Sequence, residues 1–442
     1  MRATGRLAAL GLSSMVLALV ACGDSSGPPV ETATDSLIRS VRQLAVEKQI
    51  TPLNPAPLVR PALVTLGQAL AFDKIMSGNH DVSCMTCHLP QFGTSDARSL
   101  SIGVGGTGLG PDRSGSVIGR NAPAAFNLTE IGPLFFDGRV DKAGADYHTP
   151  AGAQLTPAMT AVFEFGTLSA QPLFPLLSRA EMRGDSGSNE LADFADDDHT
   201  GAWNGIMARL GAIPAYRQMF EAAYPGVSFD DMNIAYASNA IGGFLAAEFG
   251  SNNSPWDKFL AGNNNAMTVT QLKGAQNFLK AKCSICHNGP AFTDNKFHNV
   301  AVAQIGPGNG NGTDDFGRMN VTGIAADKYS FRTPALRNVE LTAPYGHDGA
   351  YMTLRVFVAH YSESDIKLRN FDVTPLDPAL QGTLQANADD ILATRDTLLN
   401  GVKFTDEQID QVTEFMKALT DPAALNLAHT VPASVPSGLG VD

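Results

Sequence analysis

Apolar residues recur at helical spacing in several well-separated stretches of the chain. Between Pro61 and Phe72, Leu63, Leu66 and Leu70 share one face, and Ile234, Ala237, Ile241, Leu245 and Phe249 form a second stripe. Thr268-x-x-Gln271 has the form of a capping box, which predicts a helix start there. Thr405-x-x-Gln408 predicts another, with Ile409, Val412, Phe415, Met416 and Leu419 on one side. Alternating patterns are sparse, and Gly- and Pro-rich stretches such as Gly103 to Ser116 and Gly306 to Gly312 read as loops. The pattern predicts a mainly α fold with long loops. With 442 residues, 44% of them hydrophobic, the chain is long enough for two domains with their own cores.

The N-terminus breaks this pattern. Arg2 and Arg6 precede an apolar run, Leu7 to Val20, that is short for a membrane span. It ends in Leu19-Val20-Ala21-Cys22, which resembles a bacterial lipoprotein signal whose cysteine becomes the acylated first residue. Residues 1–21 are therefore expected to be a signal peptide and 22–50 a lipidated Cys22 with a flexible tether, the stretch GDSSGPPVETA being small and polar. The expected location is the periplasmic side of a bacterial membrane, touching lipid only through the anchor. A net charge of −13 argues against nucleic acid as a partner.

Beyond Cys22 the cysteines are Cys84, Cys87, Cys283 and Cys286, in two C-x-x-C pairs each followed by histidine. Cys84-Met85-Thr86-Cys87-His88 and Cys283-Ser284-Ile285-Cys286-His287 both match the c-type haem attachment motif. At that spacing two thiols can form thioethers to one porphyrin while the adjacent histidine turns to the iron. A redox dithiol or half of a zinc site would use one such pair, but two pairs with histidine in an exported chain point to two covalently bound haems c.

The two motifs are followed by matching spacings. From Asn127, Pro133 lies six residues on and Asp137-Gly138 begins four later; from Asn338, Pro344 and Asp348-Gly349 repeat these intervals. This predicts two related haem domains, at 51–262 and 263–425, with a tail at 426–442 and the haems facing a shared interface.

Several blocks carry a resemblance to the bacterial dihaem cytochrome c peroxidase family, which includes the MauG-type protein-oxidising enzymes. They are LGQALAFDKIMSGNHDVSCMTCH, GRNAPAAFNL, FFDGRV, KCSICHNGPAFTD and FRTPALRNVELTAPYGHDGAY, spread between about Pro61 and Thr420. The resemblance implies a peroxidatic N-terminal haem and an electron-transfer C-terminal haem. It also implies a calcium ion between them, held at positions matching Asn121, Thr342 and Pro344.

Further positions bear on the mechanism. Where some members have a distal histidine in a Ser-Ile-Gly-His-Gly segment, this chain has Ser101-Ile102-Gly103-Val104-Gly105, so the iron at His88 is expected to be open to peroxide. Glu181, in SRAEMRG, matches the distal acid, which would move a proton between peroxide oxygens. A tryptophan often present between the haems is replaced in Phe135-Phe136-Asp137-Gly138-Arg139, and phenylalanine is far harder to oxidise. Trp203 and Trp256 read as packing or interface residues. Tyr361 matches the Met or Tyr ligand of the second haem, with His360, Met352 and Met319 as competitors.

The reading is an oxidoreductase acting on peroxide as acceptor: hydrogen peroxide is reduced at the N-terminal haem with electrons passed through the C-terminal one. A small c-type cytochrome or cupredoxin would be the donor, and a homodimer is left open. One alternative is a MauG-like oxidase acting on a protein or small substrate. The other is a dihaem electron carrier without catalysis, against which Glu181 and the missing histidine argue.

Overall fold

The computed structural model describes residues 32–310 and 312–442; the expected signal peptide and Cys22 lie outside them. The architecture is helical. Its principal helices are α1 (Ala33–Glu47), α2 (Pro61–Phe72), α3 (Cys84–Cys87), α4 (His199–Gly211), α5 (Pro214–Ala223), α6 (Ile234–Glu248), α7 (Val269–Lys280), α8 (Cys283–Cys286), α9 (Leu354–His360) and α10 (Asp406–Lys417). Among the described residues the strands are short antiparallel pairs, β1 (Asp141–Ala143) with β2 (Asp146–His148) and β3 (Phe297–His298) with β4 (Phe331–Arg332).

Local sequence explains the helix starts. Pro61 sits in the first turn of α2, where its missing N–H costs nothing. Thr268 with Gln271 and Thr405 with Gln408 form the expected capping boxes of α7 and α10. Each half is then built on a close helix crossing. In the first, a side chain at Gly67 of α2 would place its Cβ 1.9 Å from the Ala240 carbonyl of α6. In the second, one at Gly274 of α7 would lie 1.8 Å from the Gln411 carbonyl of α10. Only glycine permits backbones to meet so closely.

The expected duplication is visible in the backbone. Asn127 and Asn338 both adopt the left-handed region, at φ 52° and 59°. Their N–H groups donate to Phe249 and Leu419, just past α6 and α10, and their side-chain oxygens accept from Ser251 and Asp421 N–H. The two amides also converge: both Nδ2 groups donate to Ser251 Oγ, at 3.2 and 2.7 Å.

The expected boundaries shift at both ends. The tether reading of 22–50 fails over residues 33–47, which form α1: Thr32 and Asp35 cap it, and Ile38, Val41 and Ala45 pack into the second core. Trp256 and Phe259 also belong to that core, so the boundary lies before 262. The tail at 426–442 returns to the first half, where Leu427 and Val435 enter the core and Asp442 pairs with Lys74 at 2.5 Å. Each core is thus closed by a segment from the opposite end of the chain.

Candidate functional site

Cys84 and Cys87 stand at the two ends of the single helical turn α3, and Cys283 and Cys286 at the ends of α8. None of the four is in a disulfide. The histidine that follows each turn is held in the same way. His88 Nδ1 donates to the Thr94 carbonyl at 3.1 Å, and His287 Nδ1 to the Phe292 carbonyl at 2.9 Å. Thr94 and Phe292 are themselves in the left-handed region, at φ 61° and 57°, which turns those carbonyls inward. A carbonyl can only accept, so each Nδ1 carries the proton and each Nε2 keeps a lone pair for a metal. Burial holds both imidazoles below their usual pKa, hence neutral. Paired free thiols beside an oriented neutral imidazole fit a haem c at each motif.

At His287 the motif opens on a deep cavity whose wall is mostly apolar, including Phe278, Val300, Val358 and Met416. Tyr361 lines it together with Cys283, Cys286 and His287, and burial raises its phenol. Its sequence competitors are otherwise engaged or elsewhere. His360 receives the Tyr351 hydroxyl on Nδ1 and donates through Nε2 to the Val300 carbonyl, both at 2.8 Å. Met352 accepts from Ser99 Oγ, and neither Met352 nor Met319 is among the residues lining the cavity. Asn121, Thr342 and Pro344, expected around calcium, all lie in this same wall. Asn121 directs its Nδ2 to the Arg98 and Ser99 carbonyls, at 2.7 and 3.3 Å.

The surroundings of His88 differ in chemistry. Glu181 sits in the five-residue π-turn Arg179–Arg183, with its N–H on Ser178 Oγ at 3.3 Å. Burial pushes its carboxyl above the ordinary glutamate value, and the Arg139 charge only partly opposes this. The Ser101–Gly105 segment lies against this turn: Val104 N–H donates to Ala180, and a Cβ at Gly103 would fall 1.9 Å from the same carbonyl. The same segment reaches the haem motif, since Cys87 Sγ lies 3.9 Å from the Ile102 carbonyl. Val104, Glu181 and Cys87 are thus gathered at one place. Asp96, 1% exposed, adds a second acid there, and burial raises its carboxyl. Sequence reasoning passed over Asp96 because only the fold brings it into this enclosure.

The strip Asn121–Phe126 separates the two sites. Ala122, Pro123 and Ala124 line the His287 cavity, while Ser95 Oγ donates to Ala122 and Ala125 N–H donates to Thr94 Oγ1 beside His88. Phe136, at the position of the family's tryptophan, also lines the cavity. A buried ion network holds the halves together here: Arg120 grips Asp315 at 2.6 Å and Asp137 at 2.7 Å, and Arg139 meets Asp137 at 3.0 Å. Trp203 and Trp256 are packing residues, the first donating to the Leu173 carbonyl and the second stacked on Phe259.

Comparison with known proteins agrees with this geometry. Residues 61–265 match the family model described as di-haem cytochrome c peroxidase. The cytochrome c peroxidase Ccp of Escherichia coli K12 is 33% identical over 313 residues, covering 70% of this chain and 56% of that protein. The methylamine utilization protein MauG of Methylorubrum extorquens is 27% identical over 353 residues, covering 78% and 83%. A solved MauG-like protein associated with microbial copper homeostasis superposes with a TM-score of 0.60 at 26% identity, covering 86% of this chain and 95% of that one. Taken with two motifs that each present free thiols and an oriented imidazole, these likenesses show a chain similar to the di-haem cytochrome c peroxidases and the MauG proteins, spanning little more than half the length of the Escherichia coli protein.

Proposed function

We propose that the chain is an exported dihaem oxidoreductase that consumes hydrogen peroxide at the His88 site and exchanges electrons through the His287 site. The observation that carries this division is the unequal lining of the two sites: acids with carboxyls raised by burial gather around the first, while the second has a mostly apolar wall with Tyr361, its acids Asp294 and Asp396 being paired with His298.

The haems, held by Cys84, Cys87 and His88 and by Cys283, Cys286 and His287, supply the electron chemistry. Glu181 supplies the proton chemistry. With its carboxyl raised by burial, it can take a proton from peroxide and return it to the departing oxygen, so that water leaves rather than hydroxide. Val104 offers the iron no ligand, which keeps the approach to His88 free. Thr94 and Phe292 hold the imidazoles in register, and Tyr361, which lines the cavity with His287, would be the further ligand of the second iron. Asn121, with the carbonyls of Thr342 and Pro344, would hold calcium in the wall between the sites. The electron donor would be a small c-type cytochrome or cupredoxin, with Cys22 as the lipid anchor on the periplasmic side.

A second reading is supported by Tyr361 and Val104 together: in a MauG-like oxidase, the oxidising equivalents would be withdrawn from a protein or small substrate. Steady-state peroxide consumption with a reduced small cytochrome tests the first reading. Turnover that collapses in Glu181→Gln is expected; turnover unaffected by that change would remove Glu181 from the mechanism. Peroxide consumption that needs no added donor would favour the second reading.

A further inference from the structure

A guanidinium taken out of water needs an anion or a full set of acceptors, because the cost of desolvating the charge is otherwise uncompensated. Most deeply buried arginines here have one or the other. Arg120 has Asp137 and Asp315, Arg337 has Asp257 at 2.9 Å, and Arg113 donates to the carbonyls of Ile102, Gly103 and Gly108.

Arg332 differs. It is 7% exposed and lines the His287 cavity. Its side chain reaches only the Phe135 carbonyl, at 3.4 Å, and the Thr333 carbonyl, at 3.1 Å, and among the described residues no carboxylate pairs with it. Burial pushes its guanidinium down to about 10. It lies in β4, opposite Phe297, with its own N–H on the Phe136 carbonyl at 2.7 Å.

The other cations of the cavity wall are accounted for. Arg337 is on Asp257, His298 lies between Asp294 and Asp396, and Lys282 is exposed and donates to the Asn400 carbonyl. In the same wall, the buried Nδ1 of His347 also lacks a partner. An apolar cavity with an unpaired cation and an unpaired imidazole nitrogen in its wall suits a flat apolar ring carrying carboxylates.

We propose that Arg332 binds a propionate carboxylate of the porphyrin attached at His287 and is a positioning residue for that group. The proposal rests on the reading of His287 as a haem ligand. Because the guanidinium also donates to the Phe135 carbonyl, next to Phe136 of the cavity wall, it would keep a fixed positive charge beside that group. A cation there favours the reduced state of the second haem, which carries one positive charge fewer.

The test is a spectroelectrochemical titration of the purified holoprotein and its variants Arg332→Met and Arg332→Lys. Haem content of the unaltered protein is measured first: if it lacks the His287 haem, the underlying reading fails before any variant is compared. With both haems present, Arg332→Met is expected to lower the reduction potential of the His287 haem and to make it fall with rising pH through a newly titrating propionate. Arg332→Lys should stay near the unaltered value, and the His88 haem should not move. An unchanged potential and pH slope in Arg332→Met, or equal shifts at both haems, would overturn the proposal. Should Arg332→Met fail to accumulate, Arg332→Lys decides alone. Its propionate-bending Raman band shifts if the guanidinium holds the carboxylate, and a band identical to that of the unaltered protein overturns the proposal.

Discussion

Helix α2 crosses α6 at Gly67 as α7 crosses α10 at Gly274, and in each half a left-handed asparagine hangs the following loop on the end of the second helix. On these matched frames stand unlike sites. Around Cys87 the fold gathers Glu181 and Asp96, both with carboxyls raised by burial. Around His287 it gathers an apolar wall, Tyr361 and the unpaired Arg332. The difference teaches that attachment of the cofactor is a property of the frame, whereas the task of each site is set by side chains delivered from loops outside the repeat. On the proposed reading the first site would serve proton transfer and the second would hold a ring in low dielectric.

If the frames are equivalent, damage to either crossing should have the same consequence. Gly67→Ala and Gly274→Ala are each expected to destabilise by about 3 kcal/mol or more, since a backbone carbonyl occupies the place of the new methyl. Denaturant unfolding of both variants checks this, and a large loss in only one would break the equivalence. If the sites are unlike, their substitutions should separate. Glu181→Gln is expected to slow the reaction of the oxidised protein with peroxide by roughly 10²- to 10⁴-fold without changing the absorption of the His287 haem. Tyr361→Phe is expected to do the reverse, shifting the spectrum and potential of the His287 haem while leaving the initial peroxide reaction within a few-fold.

The acid also gives the first site a pH signature. In the proposed role its active form would be the carboxylate, and burial raises its pKa, so peroxide reactivity should fall as pH drops through a midpoint above the ordinary glutamate value. Rate–pH profiles of the unaltered protein and Glu181→Gln check this, the variant being expected to lose that limb. The smallest effect concerns the joint. Ser251→Ala removes the hydroxyl that accepts from both Asn127 and Asn338 and is expected to cost about 1 kcal/mol in thermal or denaturant unfolding.

Much of the frame was legible in the sequence because it depends on local chemistry. The capping boxes at Thr268 and Thr405, the stripe from Ile234 to Leu245 and the matched Asn127 and Asn338 spacings all lie where the residues indicated. Helix α1 was readable too: Thr32-x-x-Asp35 precedes Ile38, Val41 and Ala45 at helical spacing, a signal hidden by the polar tether-like stretch before it. The return of Val435 and Asp442 to the first half left no local mark, because it depends on contacts with residues more than 300 positions earlier, such as Lys74. The same holds for the site. The motifs announce their cysteines and histidines, but the pairing of Arg120 with Asp315 and the lack of any acid for Arg332 exist only once the two halves meet.

The division of labour is tested most directly by mixing the fully oxidised protein with one equivalent of hydrogen peroxide in a stopped-flow spectrometer. Rapid loss of the ferric spectrum with no reductant present is the predicted result, since on the proposed reading Val104 would offer the His88 iron no ligand and Glu181 would assist the peroxide. A spectrum that stays unchanged until the His287 haem has been reduced would contradict the account, showing that another side chain closes the first site.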